Sequence, residues 1–195
     1  MTRLTGGIWR GRQLVTPRSA STRPTTSMVR EAIFNVLGDA VRHASVVDLC
    51  AGSGALGLEA LSRGAFHVVM VDHALPALAA IVQNAEKLNC QGAVVVQKGE
   101  CIRWAEQHQE LLAATDICFM DPPYRPDAYV AELLLAVATA APLRIVVEHH
   151  SRLVLDQRPG MMELVRNYRY GATAVSIFAR QGTLPPAARE ATHGG

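Results

Sequence analysis

The sequence has little that would tie it to a membrane, a metal or an oxidising compartment. No apolar run approaches the roughly 20 residues of a bilayer span, and residues 1–7 lack the apolar centre of a signal peptide. Its four cysteines, Cys50, Cys90, Cys101 and Cys118, are scattered and form no C-x-x-C, and its seven histidines never gather at zinc spacing. Free thiols, no metal and a cytoplasmic location are the expectation. The adjacent pair His149 and His150 would point to opposite faces of a strand, which argues against a shared metal. With 195 residues and 49% apolar content, the chain is long enough to bury a full core.

A large charge excess is also missing, since the formal net charge is only +2, but the balance hides an asymmetry. Arg3, Arg10, Arg12, Arg18, Arg23 and Arg30 all precede the first acidic residue, Glu31. Guanidinium groups pair with phosphates and stack on bases, so this run, with Trp9 inside it, reads as a nucleic-acid contact. The competing reading is a solvated basic arm. Ile8, Trp9, Leu14 and Val15 favour the contact, because they give the segment apolar anchors that a floppy arm lacks.

Residues 4–9 and 12–16 read as a short hairpin around Arg10 and Gly11, followed by a loop over 17–24. Thr26 or Ser27 caps a helix to about residue 37, with Val29, Ile33, Phe34 and Leu37 at helical spacing, Glu31 in the first turn and Gly38 closing it. From residue 45 apolar strands alternate with helices: strands at 45–49, 66–71, 93–97, 116–120 and 143–148, helices at 55–63, 76–88, 102–113 and 127–140, the last capped by Asp127. Such alternation implies a parallel sheet covered on both faces by right-handed crossovers. Two β-rich runs, 162–170 and 172–180, look like a terminal antiparallel hairpin, and residues 183–195 read as a disordered tail. The expected architecture is α/β and Rossmann-like, a mostly parallel seven-stranded sheet with a terminal antiparallel hairpin. It divides into an extension of hairpin and helix at 1–40, a main domain at 41–182 and the tail.

Gly52-x-Gly54-x-x-Gly57 after the first strand, with Asp72 at the end of the second, has the dinucleotide spacing, which is weak by itself. Asp48, just ahead of the glycines, would repel a pyrophosphate but welcome the cationic end of a methionyl group. Nothing downstream resembles a hydride-transfer site. Both points favour S-adenosylmethionine over a nicotinamide. Gly99, Glu100 and Cys101 are placed to meet its adenine ring, with Glu100 accepting from the amino group and the Cys101 main-chain N–H donating, although Glu100 could equally be a helix N-terminal acid.

Asp121-Pro122-Pro123-Tyr124 supplies the acceptor half. The Asp121 carboxylate and the Pro122 carbonyl can both face an exocyclic amine, Pro123 has no N–H to compete, and Tyr124 can cover a flat ring. A Pro-Pro turn with a capping carboxylate is the plainer alternative. What weighs against it is that Asp48, Asp72, Glu100 and Asp121 fall at or near the carboxyl ends of four successive strands, where ligands of such sheets bind. In that arrangement Asp48, Ala51, Gly52, Ser53 and Gly54 hold the methionyl part, Asp72 the ribose and Glu100 the adenine. Asp121 adjoins both cofactor and acceptor.

Gly7 to Leu14, Arg23-Pro24-Thr25, Val29 to Asn35, Asp48 to Gly57 and Asp121 to Tyr124, with Tyr170-Gly171-x-Thr173 near the end, resemble the bacterial RsmD family of 16S ribosomal RNA guanine-N2 methyltransferases. The likeness runs from about residue 4 to 180. It implies a class I S-adenosylmethionine-dependent methyltransferase whose N-terminal extension contacts RNA. The expected partner is 16S rRNA within a small-subunit particle and the expected state a monomer, although the sequence encodes neither the form of the substrate nor the oligomeric state. Glu100 departs from the family, which usually has Asp there. An adenine-N6 methyltransferase shares the same four-residue loop, and base identity is not encoded in it. A non-catalytic RNA-binding protein with this fold and, more distantly, a nicotinamide-dependent oxidoreductase are the rivals.

Overall fold

In the computed structural model, which describes residues 2–17, 27–122 and 126–183, valine-rich segments form the centre of a seven-stranded sheet. In chain order the strands are β1 (Ser45–Leu49), β2 (His67–Asp72), β3 (Val94–Lys98), β4 (Ile117–Met120), β5 (Arg144–His150), β6 (Met162–Tyr170) and β7 (Thr173–Arg180). Their spatial order is β3-β2-β1-β4-β5-β7-β6. The first five pair in parallel, and β7 enters antiparallel between β5 and β6. β1, β2 and β4 are almost wholly buried because helices cover both faces, which is why they read as continuous apolar runs rather than alternating ones.

The helices are α1 (Ser27–Leu37), α2 (Ala55–Ser62), α3 (Leu75–Lys87), α4 (Cys101–Gln107), α5 (Gln109–Ala113) and α6 (Asp127–Ala140). Two core layers result. One joins α1, α2 and α3 to the sheet through Val29, Ile33, Phe34, Leu58, Ile81 and Phe119, and the other lies under α4 and α6 through Trp104, Leu133, Val137 and Met120. Phe34 and Phe119 meet at 5.6 Å, fixing α1 over β4.

Four local expectations are corrected. Residues 102–113 are not one helix: His108 leaves helical geometry at φ −121°, its ring stacks on Trp104 at 4.2 Å, and its Nδ1–H donates to the Trp104 carbonyl. Asp127 does not cap α6 but is its first residue, behind Pro126. Glu31 lies beyond the first turn of α1, which holds no acid. The N-terminal hairpin reduces to one bridge, Arg3 to Gln13, with flanking bonds such as Leu4 N–H to the Arg12 carbonyl (3.0 Å).

The hairpin is cut short because its tip bonds to α2 instead of to a sister strand. Ile8 N–H donates to the Ser62 carbonyl, Trp9 N–H to Ser62 Oγ, and Ser62 Oγ–H to the Gly6 carbonyl. Gly7 makes this approach possible: its φ is +74°, and a Cβ there would lie 1.9 Å from the Ser62 carbonyl oxygen.

Candidate active site

The loop after β1 is shaped by two carboxylates. Asp48, 1% exposed, accepts a hydrogen bond at Oδ2 from Gly57 N–H (2.9 Å), and Asp72 accepts from Gly52 N–H at Oδ2 and from Ala74 N–H at Oδ1, each at 2.9 Å. The first pins the start of α2 to β1, and the second ties the glycine loop to β2. Gly57 has to be glycine for packing: a Cβ there would sit 2.6 Å from Met70 Cε and 2.9 Å from Val68 Cγ2. Ala51 N–H bonds to the Val71 carbonyl and Gly54 N–H to the Ala51 carbonyl, so the loop's backbone is held on the sheet side.

Asp48 is the electrostatic centre. Its Oδ1 is buried and accepts no hydrogen bond among the described residues. Burial pushes its carboxyl up to about 7, the Gly57 bond opposes the shift, and the charges of Asp121 and Asp72 add to it. A buried acceptor of this kind fits a cationic ligand group and would be costly without one.

Beyond β3, Glu100 does two things at once. Its Oε2 accepts from Arg103 N–H (3.1 Å), capping α4, and its Oε1 accepts from the Tyr129 hydroxyl (2.6 Å). The helix-cap role is therefore real, and Tyr129 on α6 is a partner of Glu100 that no sequence pattern singled out. Gly99 N–H bonds to the Asp72 carbonyl (3.0 Å), which holds the turn after β3 against the end of β2. Cys101 follows, buried, with its sulfur 2.8 Å from that of Cys50, so the loops after β1 and β3 touch through two free thiols. A cavity of about 550 Å³ lies beside Gly99 and Glu100, lined also by Gln97, Lys98, Arg103, Trp104 and His108. It flanks the strand ends rather than occupying them.

Asp121 immediately follows β4, and its N–H reaches the Leu49 carbonyl (3.4 Å), so it stands beside the end of β1. Pro122 is half-buried next to it. Pro123 and Tyr124 lie outside the described residues, as do Arg18 and Arg23. The sheet order thus sets Glu100, Asp72, Asp48 and Asp121 at the ends of β3, β2, β1 and β4, four neighbouring strands.

The arginines of the extension separate into two groups. Arg3, Arg10 and Arg12 are exposed, and Trp9 is half-buried against the core. Arg30 is corrected as an RNA-contacting residue: it is fully buried, its Nε is 3.3 Å from Glu59 Oε2, and it donates to the Arg3 carbonyl. Glu59, itself buried, also accepts from Thr5 N–H and Oγ1–H (2.8 Å each) and from Arg63 Nε (3.0 Å). Arg30 looked basic and available in the sequence. Its charge is spent holding the extension, α1 and α2 together. Asn84, buried on α3, was likewise missed: its Oδ1 accepts from Val15 N–H, and its Nδ2 donates to the carbonyls of Val15 and Ser53, bracing the glycine loop against the extension.

The chain matches the family model described as "Conserved hypothetical protein 95" over residues 2–179. It is 33% identical over 184 residues to "Putative rRNA methyltransferase YlbH" of Bacillus subtilis, covering 92% of this chain and all of that one. It is 39% identical over 123 residues to "Ribosomal RNA small subunit methyltransferase D" of Escherichia coli, an alignment that spans 63% of this chain and 60% of that protein. Among solved structures, "Putative methyltransferase yhhF from Escherichia coli" superposes with a TM-score of 0.77 at 31% identity, over 92% of this chain and 97% of that one.

Proposed function

Because the chain belongs to the RsmD family, whose model spans residues 2–179, we propose that it transfers a methyl group from S-adenosylmethionine to the exocyclic N2 of a guanine in small-subunit ribosomal RNA. The observation that carries this reading is Asp48. A buried carboxylate with one oxygen left over, at the head of the glycine loop and beside Asp121, suits a ligand with a positive end and not a pyrophosphate.

The cofactor supplies an electrophilic methyl group on a sulfonium. Everything else falls to the chain. Asp48 and the loop of Ala51, Gly52, Ser53 and Gly54 receive the methionyl end, Asp72 retains acceptor capacity for ribose hydroxyls beyond its two backbone bonds, and Glu100, fixed by Tyr129, faces the adenine amine together with the Gly99–Cys101 turn. An amine conjugated to a purine ring is a poor nucleophile because its lone pair is delocalised. Accepting both N2 hydrogens at the Asp121 carboxylate and the Pro122 carbonyl favours the pyramidal amine, and Tyr124 would hold the ring. Positioning of this kind is worth roughly 7 to 11 kcal/mol, so no general base is required, though Asp121 is placed to take the departing proton. Paired bases are out of reach of such a site, so the guanine is unpaired or flipped, while Arg3, Arg10 and Arg12 hold nearby phosphates.

The test is tritiated methyl transfer to small subunits from a strain lacking the enzyme, followed by nucleoside analysis. Labelled N2-methylguanosine supports the proposal. Label on adenine would move the target to N6 chemistry, and cofactor binding without transfer to any rRNA substrate would leave a binding protein.

A further inference from the structure

The loop after β4 treats any exocyclic amine alike, so something else must tell guanine from adenine. The sheet register points to one residue. β4 and β5 pair with Met120 opposite Val147, which sets the next residues, Asp121 and Glu148, level with each other on neighbouring strands. Glu148 lies on the side of the sheet that carries α1, since its partner Val175 and its second neighbour Val146 both belong to that core layer. Asp121, two residues beyond Phe119 of the same layer, continues that side. Electrostatics agree: Glu148 acts on Arg30 of α1, and Asp121 acts on Asp48, whose carboxylate meets α2 on that side.

We propose that Glu148 is the specificity-determining residue that reads the target base, accepting the N1–H of guanine while Asp121 and Pro122 take N2. This rests on the guanine-N2 reading above. The Watson–Crick edge of guanine presents N1–H and N2–H2 as adjacent donors, which match two acceptors side by side. Adenine bound by its amine would turn the N1 lone pair toward a second carboxylate, acceptor facing acceptor with no proton between them, beside a Glu148 Oε2 that is shielded from water. Glu148 is thus both attractive toward guanine and repulsive toward adenine.

The experiment compares guanine with 2,6-diaminopurine, placed at the modified position by ligation into small-subunit rRNA assembled into particles. The analogue keeps the 2-amino group and replaces N1–H by a lone pair. The wild-type enzyme should prefer guanine by about 10- to 100-fold in kcat/KM, the range expected for one buried unmatched hydrogen bond. Glu148→Gln, whose amide can donate, should lose rate on guanine and gain on the analogue, bringing the ratio near one, while Glu148→Asp keeps the preference at a lower rate. A merely structural role would lower both substrates together. Equal wild-type rates on the two bases, or an unchanged ratio in Glu148→Gln, overturns the proposal. Wild-type enzyme that methylates neither overturns the guanine-N2 reading beneath it.

Discussion

Asp48 Oδ2 lies 2.9 Å from the Gly57 amide, while the other oxygen of the same carboxylate is buried with no hydrogen bond among the described residues. The half-satisfied acid has consequences for pH. Its folded value of about 7 stands above the ordinary 3.8, so the folded state holds the proton more tightly than the unfolded one. Its contribution to stability is therefore undiminished below about pH 4 and is lost as pH rises toward 7, a penalty of about 4 kcal/mol at neutral pH without ligand. The cofactor-free protein should melt lower at pH 8 than at pH 5, and Asp48→Asn should remove much of that difference. A cationic ligand favours the ionised acid, so cofactor affinity should rise with pH up to about 7, and calorimetry in buffers of different ionisation enthalpy should detect proton release below it. In Asp48→Asn the affinity should be weaker and flat with pH.

Asp121→Ala should abolish methyl transfer while cofactor affinity stays nearly intact, because the glycine loop and the Asp48, Asp72 and Glu100 contacts do not pass through it. Single-turnover transfer and equilibrium binding measured on the same preparation check this, and retained turnover would remove Asp121 from the chemistry.

Arg30→Met should cost stability, not RNA contact. Removing one partner from a buried pair typically costs about 3–5 kcal/mol, and among the described residues Glu59 would keep Arg63 and Thr5. Denaturant unfolding should show the loss, while the salt dependence of RNA binding, measured where the variant is folded, stays at the wild-type slope.

Arg10→Ala and Arg12→Ala should behave in the opposite way. Both side chains are exposed, so stability should move by no more than about 0.5 kcal/mol. If each meets a phosphate, the slope of log affinity against log salt should fall by about 1 per substitution. An unchanged slope would take the RNA contact away from this loop.

The periodicity of the chain was enough for the sheet. Strands buried on both faces must be apolar throughout, the helices between them must show one apolar face, and the elements expected from residue 45 onward appear within a residue or two of their places. Only the 102–113 segment broke in two, because the Trp104–His108 stack is a side-chain contact that periodicity does not register. The linear sequence likewise placed Asp48, Asp72, Glu100 and Asp121 at strand ends, since a parallel sheet turns chain position into a common edge.

Which of those polar groups were already engaged was a matter of packing. Arg30 and Arg12 look alike in a basic segment, yet one is buried against Glu59 from a helix 29 residues away and the other faces solvent. Tyr129 meets Glu100 across the same separation of 29 residues, and Asn84 reaches Val15 across 69. Local spacing carries no information about such partners, because hydrogen bonds between distant segments depend on how helices dock. The alignment of Glu148 with Asp121 has the same origin: the residue types were visible from the start, but only the β4–β5 register sets them side by side.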